Sequence, residues 1–155
     1  MRDIVSGMNR ERDEGFAVQD FTQPLFEQRT KDVVVRVEPE FLAEQSSPSD
    51  SRFIWAYTVE IDNQGAEDLT VTERFWQIAD SRGQVQEVRG KGVVGEKPVV
   101  KPGEVFRYTS GAPLTAPSGM MRGTYTVQGA NSGESYDVDI PAFVLDSPHE
   151  GLVLN

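Results

Sequence analysis

Phe53, Trp55, Tyr57, Val59 and Ile61 occupy every second position of one segment, with Thr58, Glu60 and Asp62 between the later ones. A repeat of two puts successive side chains on opposite faces of a strand, whereas a helix would need apolar residues every three or four. The segment therefore reads as a strand buried on one face, and Asn63-Gln64-Gly65 ends it with turn chemistry. The same alternation recurs. Val33, Val35 and Val37 oppose Val34, Arg36 and Glu38, and Phe106 and Tyr108 oppose Val105 and Arg107. Tyr136, Val138 and Ile140 read as the inward residues of a strand over 135–140, joined to 123–127 by the hairpin signal Asn131-Ser132-Gly133. From Leu69 to Asp80 the apolar parity changes, with Leu69, Val71 and Phe75 on one phase but Trp76 and Ile78 on the other. Such a switch predicts a bulge, or burial on both faces. A turn at Asp80–Gly83 sends the chain back as a strand over 85–89.

About seven short strands and no helical pattern predict an all-β fold, an antiparallel β-sandwich. Connections are short, so neighbouring strands pair antiparallel. Residues 1–30 lack a clean period and are expected to form a mobile arm before a domain over 31–148. Glu44–Ser51 reads as a polar loop and Thr109–Gly119 as a second loop rich in glycine and proline. Phe143, Val144 and Leu145 are expected to complete the core, and 149–155 to form a tail.

The segment Gly90-Lys91-Gly92-Val93-Val94-Gly95 fits the glycine fingerprint GxGxxG. A dinucleotide site needs these glycines to open a helix whose N-terminal amides hold a pyrophosphate. Here Pro98 and Pro102 follow, and they exclude that helix. Two uses remain for Gly90, Gly92 and Gly95. They permit tight turns or a bulge at a sheet edge, or their amides form a nest for an anion, with Arg89, Lys91, Lys97 and Lys101 supplying charge. The net charge is −10, yet residues 82–107 carry an excess of +3, so the glycines lie in the one basic stretch of an acidic chain. An overall negative field disfavours nucleic acid and acidic membranes as partners.

Catalytic constellations are scarce. His149, the single histidine, lies in the tail and is expected to be solvated, and no serine lies in GxSxG. Without cysteine there is neither a disulfide nor a thiolate metal site. The pairs Asp137/Asp139 and Glu60/Asp62 each share a strand face and suit a hard divalent cation, but alternation alone also predicts them on a solvent-facing side. Met1–Gly7 lacks the apolar core of a signal peptide and no long apolar run follows, so a cytoplasmic protein is expected.

From Val85 to Gly111 the chain, VQEVRGKGVVGEKPVVKPGEVFRYTSG, resembles the signature of the ApaG family. RFIWAYTVEIDNQG upstream is similar to that family's central strand, and APLTAPSGMMRGTY and YDVDIPAFVLDSP downstream fit as well. The likeness spans about residues 32–148. It implies a fibronectin type III-like sandwich and little about activity. Related domains act as interaction modules in larger eukaryotic proteins. Bacterial members lie beside a diadenosine tetraphosphate hydrolase gene and are associated with cobalt and magnesium efflux. The family's glycine motif, proposed to bind pyrophosphate, maps onto Gly90, Gly92 and Gly95. Members often carry His before the strand Trp, whereas Phe75 precedes Trp76 here.

The expected function is that of a non-enzymatic module without a cofactor, a monomer or weak homodimer that recognises a protein partner. Its candidate surfaces are the loop with Arg89, Gly90, Lys91, Gly92, Gly95 and Lys97, and a second loop with Ser110, Gly111, Met120 and Met121. A sensor of pyrophosphate or a nucleotide such as a diadenosine polyphosphate is the alternative, followed by direct binding of a divalent cation.

Overall fold

The computed structural model describes residues 25–149. Among them, nine strands form two antiparallel sheets packed face to face. The first sheet runs, in spatial order, β1 (Phe26–Thr30), β2 (Val33–Phe41), β3 (Phe53–Asn63) and β7 (Val105–Leu114). The second runs β5 (Val85–Lys91), β4 (Leu69–Asp80), β8 (Gly119–Gly129) and β9 (Ser135–Leu145), and β6 (Val99–Val100) pairs with the start of β4. The sandwich read from the alternation is therefore present. No helix among the described residues is long and apolar enough to cross a membrane.

Alternation places the core. Val33, Val35, Val37, Trp55, Tyr57, Val59, Ile61 and Phe106 face inward from the first sheet, and Val71, Trp76, Ile78, Tyr125, Val138 and Phe143 meet them from the second. Each buried aliphatic or phenyl side chain stabilises the fold by roughly 1.5–3 kcal/mol. Trp76 is the hub: its ring lies 5.3 Å from Tyr57, 6.0 Å from Phe143 and 6.3 Å from Tyr125, each in edge-on geometry. The Tyr108 and Tyr125 hydroxyls hydrogen-bond across the two sheets. Trp55 Nε1 donates to the Asp146 carbonyl at 2.7 Å, which fastens the chain after β9.

The structure redraws several expected boundaries. Residues 26–30 are not part of an arm, because β1 pairs with β2 from Phe26↔Val37 to Thr30↔Val33. Residues 1–24 lie outside the described residues. The segment read as a second loop is largely strand, since β7 continues through Ser110, Gly111 and Ala112 to Leu114 and pairs with β3 throughout. Strands tolerate Gly111 there because Ala56, directly opposite, is also small. Val144 is 43% exposed and does not belong to the core. His149 is not freely solvated: its ring lies 5.8 Å from those of Phe41 and Phe53 and is half-buried. The parity change in β4 is a bulge, with the register to β8 shifting between Val71 and Glu73.

The outward face of the first sheet is closed by charge. One cross-strand row reads Glu27, Arg36, Glu60, Arg107. Arg36 donates to Glu27 at 3.0 Å, to Glu60 at 3.3 Å and to Asp62 at 2.9 Å. Glu60 and Asp62 were expected at a solvent-facing side, but they are 4% and 0% exposed. In the next row Val34, Asp62 and Val105 are equally buried. Beside them, burial raises the Glu38 carboxyl above its usual range, an effect that Arg107 opposes and Glu40 and Glu60 reinforce. Removing Arg36 strips two buried carboxylates of a cation, which is far costlier than losing a surface ion pair. Arg36→Met is therefore expected to lower unfolding stability by about 3 kcal/mol in urea titrations. A loss below about 1 kcal/mol would show that the row behaves as an ordinary surface network.

Candidate functional site

The glycine segment begins where β5 leaves the sheet edge. β5 pairs with β4 up to Glu73↔Lys91. The next residues must turn away and return, because Pro98 accepts a hydrogen bond from Val71 N–H at 2.9 Å and β6 pairs with β4 again. Val93 and Glu96 bridge each other through paired backbone bonds of 2.7 and 3.1 Å. Between them Val94 and Gly95 have φ of 44° and 82°, the positive values at both central positions of a type I′ turn. The turn buries Val93 to 1% exposure and leans Val94 on the core.

Each glycine has a steric reason. Gly92 has φ 65°, and a Cβ there would lie 2.0 Å from the Glu96 carbonyl oxygen. Gly95 takes the second positive φ of the turn. A Cβ on Gly90 would lie 2.7 Å from the Arg74 guanidinium, which crosses this strand and donates to the Lys91 and Gly92 carbonyls at 3.2 and 3.1 Å. Of the amides from Gly92 to Glu96, those of Gly92, Val93 and Glu96 donate to the carbonyls of Thr72, Glu96 and Val93. A nest needs successive amides aimed at one anion. Here protein carbonyls take most of them.

The charged neighbours of the glycines go elsewhere. Arg89 and Lys91 project from the outward face of the second sheet, where the Arg89 guanidinium sits 4.2 Å above the Phe75 ring. Register lays this face out in rows. Lys91, Glu73, Thr126 and Asp137 form one, and Arg89, Phe75, Thr124 and Asp139 the next. In a third row Gln77 accepts from Arg122 Nε at 2.9 Å and donates to Glu87 at 3.2 Å. The fourth is apolar: Val85, Ala79, Met120 and Val144, of which Val85, Met120 and Val144 are 60%, 47% and 43% exposed. Open depressions lined by Arg74, Phe75, Arg89 and Lys91, and by Phe75, Arg122 and Asp139, lie on the same face.

The two candidate loops thus meet only in part. Arg89, Lys91 and Met120 share this face, two strands apart. Ser110, Gly111 and Met121 do not reach a surface: all three are buried, Met121 fully, inside paired strands. Met121 cannot serve as an adaptable contact, because at its position in β8 the odd residues face the core. Lys97 lies past the turn, away from the rows. Val85 and Val144 were missed as surface residues. Val85 shares the parity of Arg89 and was legible, whereas Val144 depends on a register shift between β8 and β9 near Met121 and Gly123. Among the described residues no three His, Asp or Glu side chains are grouped to hold a metal.

Gly92 and Gly95 differ in a way that tests this assignment. Both have positive φ, but a Cβ on Gly95 meets nothing within 4 Å. Gly95→Ala is expected to cost about 1 kcal/mol from backbone strain alone, and Gly92→Ala about 3 kcal/mol because carbonyl overlap adds to it. Equal costs in chemical denaturation would contradict the geometry.

Comparison with known proteins places the chain. The family described as DUF525, the ApaG domain, matches residues 43–129. Protein ApaG of Rhodospirillum centenum is 54% identical over 125 residues, 81% of this chain and 95% of the relative. Protein ApaG of Paramagnetospirillum magneticum is 50% identical over 131 residues, 84% of this chain and all of the relative. The crystal structure of the ApaA protein from Bordetella pertussis superposes with a TM-score of 0.73 at 46% identity, covering 82% of this chain and 98% of its own. With the superposed sandwich in agreement, the chain belongs to the ApaG family.

Proposed function

We propose that this protein is a non-enzymatic binding module that recognises a protein partner through the outward face of the second sheet. One observation carries the reading: the exposed apolar row Val85, Ala79, Met120, Val144 runs across four paired strands, next to rows of exposed charge. Apolar side chains aligned in this way exceed the scattered exposure of ordinary surfaces and suit a macromolecular contact. The outward face of the first sheet offers no equivalent, because Val34, Glu60, Asp62 and Val105 are already buried there. Arg89 stacked on Phe75 adds an anchor of the kind that dominates interfaces. Recognition belongs to this flat face rather than to the glycine turn, whose role is to hold β5 in place. The module acts in the cytoplasm.

The test is comparative affinity capture from a lysate of the source cell. The paired variant Val85→Asp with Met120→Asp alters only exposed side chains, and Glu40→Lys on the other sheet serves as the control. Proteins retained by the wild type and the control are expected to be lost, at least about tenfold, with the paired variant, as for removal of central contacts worth about 1.4 kcal/mol or more. An unchanged set of captured proteins would refute the assignment of this face.

A further inference from the structure

The partner that the face fits best is a second copy of this chain, and we infer that the protein self-associates as a two-fold dimer through it. This inference rests on the preceding reading of the face and adds the identity of the partner.

In two rows the outer strands carry opposite charge, although Glu73 stands beside Lys91 and the third row holds Glu87 on β5 and Arg122 on β8. The β5 edge carries Arg89 and Lys91, and the β9 edge carries Asp139 and Asp137 in the same two rows. All four side chains are exposed. A two-fold axis lying between the sheets and parallel to the strands places β5 of one protomer over β9 of the other, and β4 over β8. A two-fold contact must be self-complementary, because each patch meets itself turned around. Under this axis the outer positions of the first, second and fourth rows meet that requirement, while Glu73 falls over Thr126 and Glu87 has no charged counterpart. Lys91 meets Asp137 and Arg89 meets Asp139, while Val85 meets Val144 and Ala79 meets Met120. Phe75 falls over Thr124, and Gln77 over Arg122. Each pairing occurs twice in the dimer.

Other relative orientations fail. An axis perpendicular to the strands keeps β5 over β5 but reverses the rows, so Lys91 faces Val85 and Asp137 faces Val144, charge against apolar surface, which desolvates both charges without a partner. It also moves the apolar row away from its counterpart. Sheets stacked with nearly parallel strands are a common packing mode, and the outward face has the flat, alternating surface this requires. The face spans four strands and four rows, near the small end of specific interfaces, so the association is weak.

Sedimentation velocity on the full chain, from about 10 µM to about 1 mM, tests the inference by charge exchange. The wild type is expected to shift from monomer to dimer across that range. Arg89→Glu with Lys91→Glu, and separately Asp137→Lys with Asp139→Lys, are each expected to stay monomeric. Mixed in equal amounts, the two variants are expected to recover the dimer, because each then presents the charge that the other lacks. A wild type that is monomeric at 1 mM, charge variants that still dimerise, or a mixture that stays monomeric would each overturn self-association. A monomeric chain whose captured proteins still depend on Val85 and Met120 overturns only the dimer and leaves recognition of a different protein standing.

Discussion

The reversal at Gly92–Glu96 is the constraint on which the remaining architecture depends. β5 and β6 both pair with the same edge of β4, so the chain must leave that edge and return to it within a few residues. It must also keep Val93 and Val100 in the core. A two-residue turn with positive φ at Val94 and Gly95 achieves the return, and Gly92 allows the Glu96 carbonyl to approach. The Asp80–Gln84 turn sets the register from Val85↔Ala79 to Lys91↔Glu73, the reversal ends it there, and Arg89 and Lys91 share the outward face. A one-residue slip would move them to the opposite side of the strand.

The two outward faces use charge for opposite ends. On the first sheet, unlike charges alternate across the strands and neutralise one another, with Arg36 bonded to three carboxylates. On the second sheet, Arg89 and Lys91 lie on one edge strand and Asp139 and Asp137 on the other, with Glu73 beside Lys91 and Glu87 sharing β5. Carboxylates elsewhere have local duties. Glu67 accepts bonds from the Ser132 and Asn131 amides and the Ser132 hydroxyl, which hold its carboxyl below the usual range and tie the β8–β9 hairpin to the β3–β4 connection.

Much of this fold was legible in the alternation. Phe53–Ile61 and Val33–Val37 had one parity each, and hairpin residues at Asn131–Gly133 marked their turn. The bulge in β4 was also readable, from the change of phase between Phe75 and Trp76. What failed shares a physical cause. Gly111 and Pro113 in β7 look like loop chemistry, yet cross-strand pairing with β3 overrides such local preference. Val144 was misplaced because the phase of β9 changes between Ile140 and Phe143, and Met121 because the segment was read as loop although the alternation of β8 runs through it. Glu60 and Asp62 alternate as solvent-facing residues should. Arg36, on the neighbouring strand, bonds to both carboxylates. The candidate site was half legible, since Arg89, Lys91 and Met120 were named but their shared face was not.

The glycine fingerprint is therefore read as backbone geometry, and recognition as the work of the sheet that this geometry holds in register. An amide-resolved NMR titration with pyrophosphate, with and without Mg²⁺, tests that claim most directly. No saturable shift is expected between Gly90 and Lys97 at millimolar pyrophosphate, because the amides of Gly92, Val93 and Glu96 already serve protein carbonyls. Saturable shifts confined to that segment would contradict it and make the turn an anion site.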